Sequence, residues 1–427
     1  MKKLNSLTLQ ISISLLLSFG NSFAQIFTKE IVNYSIEDYS ADNQNWGIDV
    51  SDNGIVYIAN NKGLLRYTGS SWELFELPNK TIIRSVLVVG DAVYTGSYEE
   101  FGFWKNDDFG NLSYTSLNHF FEKDNKIDNE EFWQIVKHGD NIIFRSFANV
   151  YNYDGKKISS IPDSQGVLSI SVFLGRLILC SLNRGIEELE NGLLKPFKFK
   201  NNREKFKNII SSASYKNKLF FFDKNNGGFI YESGRITSLK PKISQILKEQ
   251  ILNKAIFLDS NLIAFGTIKN GVLIYNLKNQ SIQHAYNREL GLKNNTILGL
   301  KHRGGKLWCA LDNGACRIGI DSPYLNYKDQ EGKLGTVYDI AFYKGKYYLA
   351  SNTGLYLFKE NKLSFVKGSE GHIWSLDILN KQLFCGHNSG IFYLNTNDKL
   401  RQLNKTSNGV FGYFSNPKRK NSFLLGV

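Results

Sequence analysis

The chain has 427 residues, 42% apolar and 21% charged, which admits a packed core and excludes wholesale disorder. At ~150 residues per domain the length fits two or three domains, although all-β propellers run longer as single units. Thirty Phe, 22 Tyr and 6 Trp, with 37 Gly and one Met, favour many short strands and exclude a helical bundle.

Met1-Lys2-Lys3, an apolar run ending near Phe19 and Ser22-Phe23-Ala24-Gln25 read as a secretory signal over residues 1–24, cleaved after Ala24. The run is too short to span a bilayer comfortably, and nothing later approaches 18 continuous apolar residues. The mature chain therefore reads as exported and periplasmic.

A repeated segment follows. Val56-Tyr57-Ile58-Ala59-Asn60-Asn61-Lys62-Gly63 shares its plan with Tyr348-Leu349-Ala350-Ser351-Asn352-Thr353-Gly354 and with Leu383-Phe384-Cys385-Gly386-His387-Asn388-Ser389-Gly390. Turn glycines fall at Gly63, Gly102, Gly185, Gly228, Gly271, Gly314, Gly354 and Gly390, with Asn149 standing in between Gly102 and Gly185 as the residue that best tolerates a left-handed backbone. Their spacing runs from 36 to 47 residues. A second turn precedes each glycine by about ten residues, as in Asp52-Asn53-Gly54 and Lys344-Gly345-Lys346. Each unit is thus four strands, one propeller blade. The fold class is all-β: a β-propeller of four-stranded blades, one ring of about seven plus the start of a second.

The expected layout is 25–322 for the first propeller and 323–427 for the opening blades of an incomplete second. Ile31 to Ile36 is expected to close the first ring by joining its last blade. Residues 241–252, with Ile243, Ile246, Leu247 and Ile251 on one side, predict a short connecting helix. Phe423-Leu424-Leu425-Gly426-Val427 aligns with Leu383-Phe384-Cys385-Gly386-His387, so the chain is expected to stop inside a blade, as a truncated product would.

The formal charge is +13, and Lys195, Lys198, Lys200, Arg203, Lys205 and Lys207 form the densest basic stretch. A solvated loop between strands explains it better than a nucleic-acid patch, because the chain is exported. Cys180, Cys309 and Cys385 occupy one strand position in different blades, too far apart for the ~4.4–6.8 Å Cα spacing of a disulfide, and are expected to be buried thiols. There is no GxSxG, HExxH, phosphate-binding glycine loop or CxxC, and the six histidines lack metal-ligand spacing. No cofactor, no metal and no catalytic residue is assigned. Glu99-Glu100 reads as a solvated pair, since neighbours on a strand point apart.

Trp46, Arg84, Trp133, Gln134, Tyr338 and Trp374 remain, aromatic and polar residues at the starts of inner strands, which line a propeller's channel. Aromatic faces beside Arg and amides suit sugars or similar polar ligands; packing between blades is the competing explanation for each.

Asn33-Tyr34, Tyr39, Gln44-Asn45-Trp46, Trp72, Leu77-Pro78, Arg84-Ser85, Tyr98-Glu99-Glu100-Phe101-Gly102-Phe103-Trp104 and Ile373-Trp374-Ser375-Leu376 occur in order. This run resembles the exported sensor region of bacterial regulators built from two-component-regulator propeller repeats, common in Bacteroidetes. The resemblance implies fourteen repeats in two seven-bladed rings, then a three-tyrosine β-sandwich, a membrane helix and a histidine-kinase or LuxR-type helix-turn-helix output, of which this sequence contains only the propeller part. It implies ligand sensing, often of glycans: a small-molecule or oligosaccharide partner, no nucleic acid through this chain, a membrane contact only through the absent C-terminal region and a candidate homodimer of the full-length protein. A secreted propeller enzyme, a polysaccharide lyase or glycosidase, and a protein-interaction scaffold are the alternatives. An enzyme would cluster acids, His, Tyr or Arg at one channel mouth; a scaffold would expose a broad patch.

Overall fold

The computed structural model describes residues 27–120, 129–199, 206–327, 329, 332–359, 362–405, 409–415 and 422–427. The signal segment 1–24 and Lys200, Arg203 and Lys205 of the basic stretch lie outside the described residues. The chain divides into two compact units: a larger one, Lys29–Tyr324, and a smaller one, which among described residues comprises 27–28 and the chain from Leu325 onward.

The larger unit contains seven four-stranded antiparallel sheets. Blades 1 to 7 start with the inner strands Asn45–Val50, Ile83–Val89, Gln134–His138, Val167–Phe173, Ile209–Tyr215, Leu252–Phe257 and Ile297–Arg303. Each inner strand packs beside the next, and the seventh returns to the first, so the sheets form a closed ring. In blades 1 to 6 the four strands follow one another in sequence. Blade 7 takes Lys306–Leu311 and Ala315–Ile318 as its second and third strands and Ile31–Tyr34 as its fourth, with Tyr34 opposite Ala315 and Ile31 opposite Ile318. The two ends of the ring are thereby hydrogen-bonded into one sheet, and Asn45 Nδ2 adds a bond to the Gly314 carbonyl at 2.8 Å.

The core is divided into wedges between neighbouring blades, because each sheet buries both faces. Tyr57, Leu64, Ile83 and Trp104 fill the wedge between blades 1 and 2. Phe101, Phe132, Phe144 and Tyr151 fill the next, with ring centroids 4.5 Å apart for Phe101–Phe132 and 4.8 Å for Phe101–Phe144. Tyr34, Tyr67, Trp72 and Trp308 fill the wedge between blades 7 and 1. Aromatic side chains fill several of these wedges, whereas Ile143, Val150, Ile161, Val167 and Ile170 fill the one between blades 3 and 4. Pro241–Glu249 is the connecting helix, buried through Ile243, Ser244 and Leu247.

In blades 1 to 6 the turn after the second strand opens with a polar residue, Asn60, Ser97, Ser146, Ser181, Asp223 and Thr267, and in blade 7 with Leu311, all buried. The turn residue whose carbonyl or strand pairing closes the loop is Gly63, Glu100, Asn149, Gly185, Gly227, Gly271 and Gly314 in order. Two expected positions therefore shift. Gly102 sits inside the strand Phe101–Asn106, and its place at the turn is taken by Glu100, with Glu99 carrying the positive φ of 51°. Gly227, at φ 96°, is the turn glycine of blade 5 and opens the strand Gly227–Glu232, and Gly228 lies inside it. Asn149 occupies the expected position, but it is not among the residues with positive φ; Ser146 Oγ instead accepts from its backbone N–H. Nor is Glu99-Glu100 a solvated pair: Glu100 Oε1 accepts from Tyr114 Oη, Ser116 Oγ and the Phe101 N–H, and Glu99 Oε1 accepts from the Asn129 N–H. Both carboxylates fix the turn that lacks a glycine.

The smaller unit has two more four-stranded blades, with inner strands Val337–Tyr343 and Ile373–Leu379, sharing a core of Tyr348, Leu355, Ile373, Leu383 and Cys385. Gly412–Ser415 and Phe423–Gly426 form a two-stranded sheet, as do Phe27–Thr28 and Asn326–Tyr327.

All four cysteines are buried and unpaired. Cys316 lies directly opposite Cys309 on the neighbouring strand of blade 7, and burial, with the hydrogen bond that Cys309 donates to Cys316, pushes the Cys309 thiol well up. Burial also pushes the Cys180 thiol up, to about 12. Thiols so far from ionising are poor nucleophiles for disulfide exchange. Titration of the denatured, unreduced protein should therefore find four thiols; two would mean that Cys309 and Cys316 are joined.

Candidate ligand-binding site in the ring channel

The inner strands share one irregularity that builds the site. Where each meets its second strand, the register slips by one residue in blades 1, 2, 4, 5, 6 and 7. The extra residues are Trp46, Arg84, Leu168, Ile210, Asn253 and Leu298, and in blade 3 Trp133 stands at the equivalent place, just before the paired residue Gln134. A bulge bends its strand and re-aims its side chain. Six bulged residues, with Trp133 at the equivalent place in blade 3, line one cavity of about 200 Å³ on the ring axis. The residues that follow, Gly47, Ser85, Gln134, Ser169, Ser211, Lys254 and Gly299, form a second layer of its wall. Five of the seven are Gly or Ser, which leaves the space open. The volume exceeds the ~150 Å³ of a cavity that holds one benzene and falls below the ~300–1,000 Å³ of drug-sized pockets. It suits a molecule of monosaccharide size.

Four of the six candidate residues meet in this cavity. The Arg84 guanidinium lies over the rings of Trp46 and Trp133, 4.1 and 4.7 Å from their centroids. The two indoles meet edge to face at 5.4 Å. Glu131 holds Arg84 through Nη2 at 2.9 Å and Nε at 3.3 Å, while Nη1 is buried without a protein partner. Trp133 Nε1 is likewise buried and unpartnered, whereas Trp46 Nε1 donates to Asn61 Oδ1 at 2.7 Å. Gln134 spends both ends of its amide on Ile170, donating to the carbonyl at 2.7 Å and accepting from the N–H at 3.0 Å. It joins blades 3 and 4 and forms wall rather than a free recognition group.

Tyr338 and Trp374 belong to the smaller unit. They are the bulged residues of its two blades, with rings 5.0 Å apart, and Trp374 also meets His372 at 4.9 Å and Phe411 at 5.3 Å. They repeat the pattern of the larger unit, and Trp374 Nε1 is buried without a partner.

Asn253 and Lys254 were not among the residues singled out from the sequence. Asn253 Nδ2 donates to the Ile297 carbonyl at 2.8 Å. Lys254 makes no hydrogen bond or ion pair among the described residues, and burial, helped by the nearby charge of Arg145, pushes its pKa down to about 8. Arg145 is 5% exposed, donates from Nη1 to the Val167 carbonyl, and has its own pKa pushed down to about 10 by burial. A positional signal existed: in every bulged blade of the ring but blade 7, the bulged residue precedes the polar end of its second strand by 13 or 14 residues, as Asn253 precedes Thr267.

Fold and site together define a class: propellers of four-stranded blades with a small polar cavity on the ring axis. No protein-family profile and no curated protein matches the chain. Solved structures do match. The extracellular domain assigned to the hybrid two-component system BT3049 of B. thetaiotaomicron aligns over 93% of this chain and 58% of its own, with TM-score 0.66 and 15% identity. The extracellular domain of BT4673, assigned to a one-component system of the same organism, aligns over 93% and 57% with TM-score 0.54 and 15% identity. The WD40 propeller domain of Doa1 aligns over 71% and 97% with TM-score 0.51 and 10% identity. This chain thus spans under two thirds of the length of the two extracellular domains, which are the kind of protein its repeats resemble. At these identities the likeness concerns the fold.

Proposed function

We propose that this chain is the exported, periplasmic ligand-sensing region of a membrane-spanning regulator, and that the seven-bladed ring receives a small polar ligand in its channel. The observation that carries this reading is the bulge layer. It places Trp46, Arg84 and Trp133 side by side on the axis and leaves Arg84 Nη1 and Trp133 Nε1 buried without partners. Buried donors are ordinarily satisfied, and leaving one without a partner costs about 1–3 kcal/mol. A ligand hydroxyl, carbonyl or carboxylate would offset that cost. The likeness in fold to extracellular domains of two regulator systems supports the sensor role. The walls hold no acid–base pair of the kind glycosidic cleavage uses, so binding is favoured over catalysis.

The test is a thermal-shift and calorimetric screen of the full chain against neutral and acidic mono- and disaccharides. A ligand that stabilises the protein should bind Trp133→Ala or Arg84→Ala at least tenfold more weakly, the equivalent of about 1.4 kcal/mol. Equal affinity for both variants would place binding outside the channel and end this reading.

A further inference from the structure

Resting on that reading, we infer that the channel site selects an anion: a molecule of monosaccharide size bearing a carboxylate or comparable oxyanion, held between Lys254 and Arg84. The cavity wall contains two cations and no carboxylate. Glu131, the one acid against Arg84, lies outside that wall and engages Nη2 and Nε only, leaving Nη1 unused. No acid accompanies Lys254; the residues at its level in the other six blades are Gly, Ser or Gln. Arg145, behind the wall, is buried without an ion pair among the described residues, and its Nε has no partner.

Two features give this arrangement a direction. Burying unpaired charge costs several kcal/mol, so Arg145, buried without a counter-ion among the described residues, and the half-buried Lys254, unpaired among them, are poor at stabilising the fold and suited to binding the missing charge. The buried wall atoms left without a partner are also of one kind: Arg84 Nη1 and Trp133 Nε1, like the Lys254 ammonium, are donors with no acceptor capacity. A neutral sugar presents hydroxyls, which donate as well as accept; an oxyanion presents acceptors alone and forms the stronger charge-assisted bonds. The small residues around Lys254 leave its head free to meet such a group.

The experiment uses pairs of equal size that differ in charge: D-galacturonate against D-galactose and D-glucuronate against D-glucose, titrated into the full chain by calorimetry, with sodium sulfate as a bare oxyanion. At least one uronate should bind ten times or more tighter than its neutral partner, and sulfate should compete with it. Lys254→Gln should abolish that preference while melting within a few degrees of the wild type; Lys254→Met serves if the glutamine variant does not fold. If the neutral sugars bind as well as the acids, or Lys254→Gln keeps the preference, the anion inference falls and the small-ligand reading survives. If no acid, neutral sugar or sulfate binds, both fall.

Discussion

A chain lacking Ile31–Tyr34 should not form the closed ring. Among the described residues, these four cover the outer edge of the strand Ala315–Ile318, whose Ala315, Cys316 and Ile318 are fully buried in the intact sheet. Without them blade 7 keeps three strands, and an apolar edge of unpaired N–H and C=O groups opens to water, the geometry that promotes aggregation. Side-chain packing is lost as well. Tyr34 meets Tyr67 and Trp72 with centroids 5.3 Å away and stacks on Trp308 at 5.8 Å. Tyr34→Ala alone should cost about 3–5 kcal/mol, as truncation of a buried aromatic does. Total stabilities are only ~5–15 kcal/mol, so losing the whole strand consumes the margin. Size-exclusion chromatography and a circular-dichroism melt of the deleted chain should show aggregation or a non-cooperative transition. A monomer melting cooperatively within a few degrees of the wild type would show that the ring does not depend on this closure.

Gly271→Ala should destabilise the protein by about 2–5 kcal/mol, whereas Gly54→Ala should cost about 1–2 kcal/mol. Both glycines have a left-handed backbone, φ 69° and 86°, and pay the conformational penalty of ~1–2 kcal/mol for an L-residue there. They differ in space. A Cβ on Gly54 meets nothing within 4 Å, but on Gly271 it would lie 2.0 Å from the Tyr286 carbonyl oxygen. That oxygen cannot swing away like the end of a side chain. It belongs to the outer strand Ser281–Tyr286, whose Tyr286 ring is fully buried between blades 6 and 7. Relief requires moving the strand against its wedge, a strain of the order of 1–3 kcal/mol. Urea midpoints of the two variants test this. Equal losses would mean that only the backbone conformation matters at the blade turn.

The blade unit was legible in the sequence because its markers are local. Gly63, Gly185, Gly271, Gly314, Gly354 and Gly390 must adopt positive φ within a few residues of a strand end, and chain chemistry within one hairpin dictates that. The connecting helix was legible for a similar reason, as Ile243 and Leu247 recur at helical spacing. The places where the reading slipped were also local but ambiguous. Two adjacent glycines, Gly227 and Gly228, cannot be ranked by spacing alone, and the carboxylates of Glu99 and Glu100 fix a turn through partners 14 to 30 residues away.

The site shows the same division. Trp46, Arg84 and Trp133 could be chosen from the sequence because an aromatic or a cation at an inner-strand start is conspicuous. Lys254 was not, since a lysine in a strand usually faces water, and nothing within its own blade says otherwise. Its direction is set by a register slip between Leu252 and Lys254, and its isolation by small residues on five of the other six blades. Local backbone preferences determined that the chain folds as repeated four-stranded blades. Only closure of the ring, which brings side chains from positions 46 to 299 around one axis, decided which of them face each other and what charge they present together.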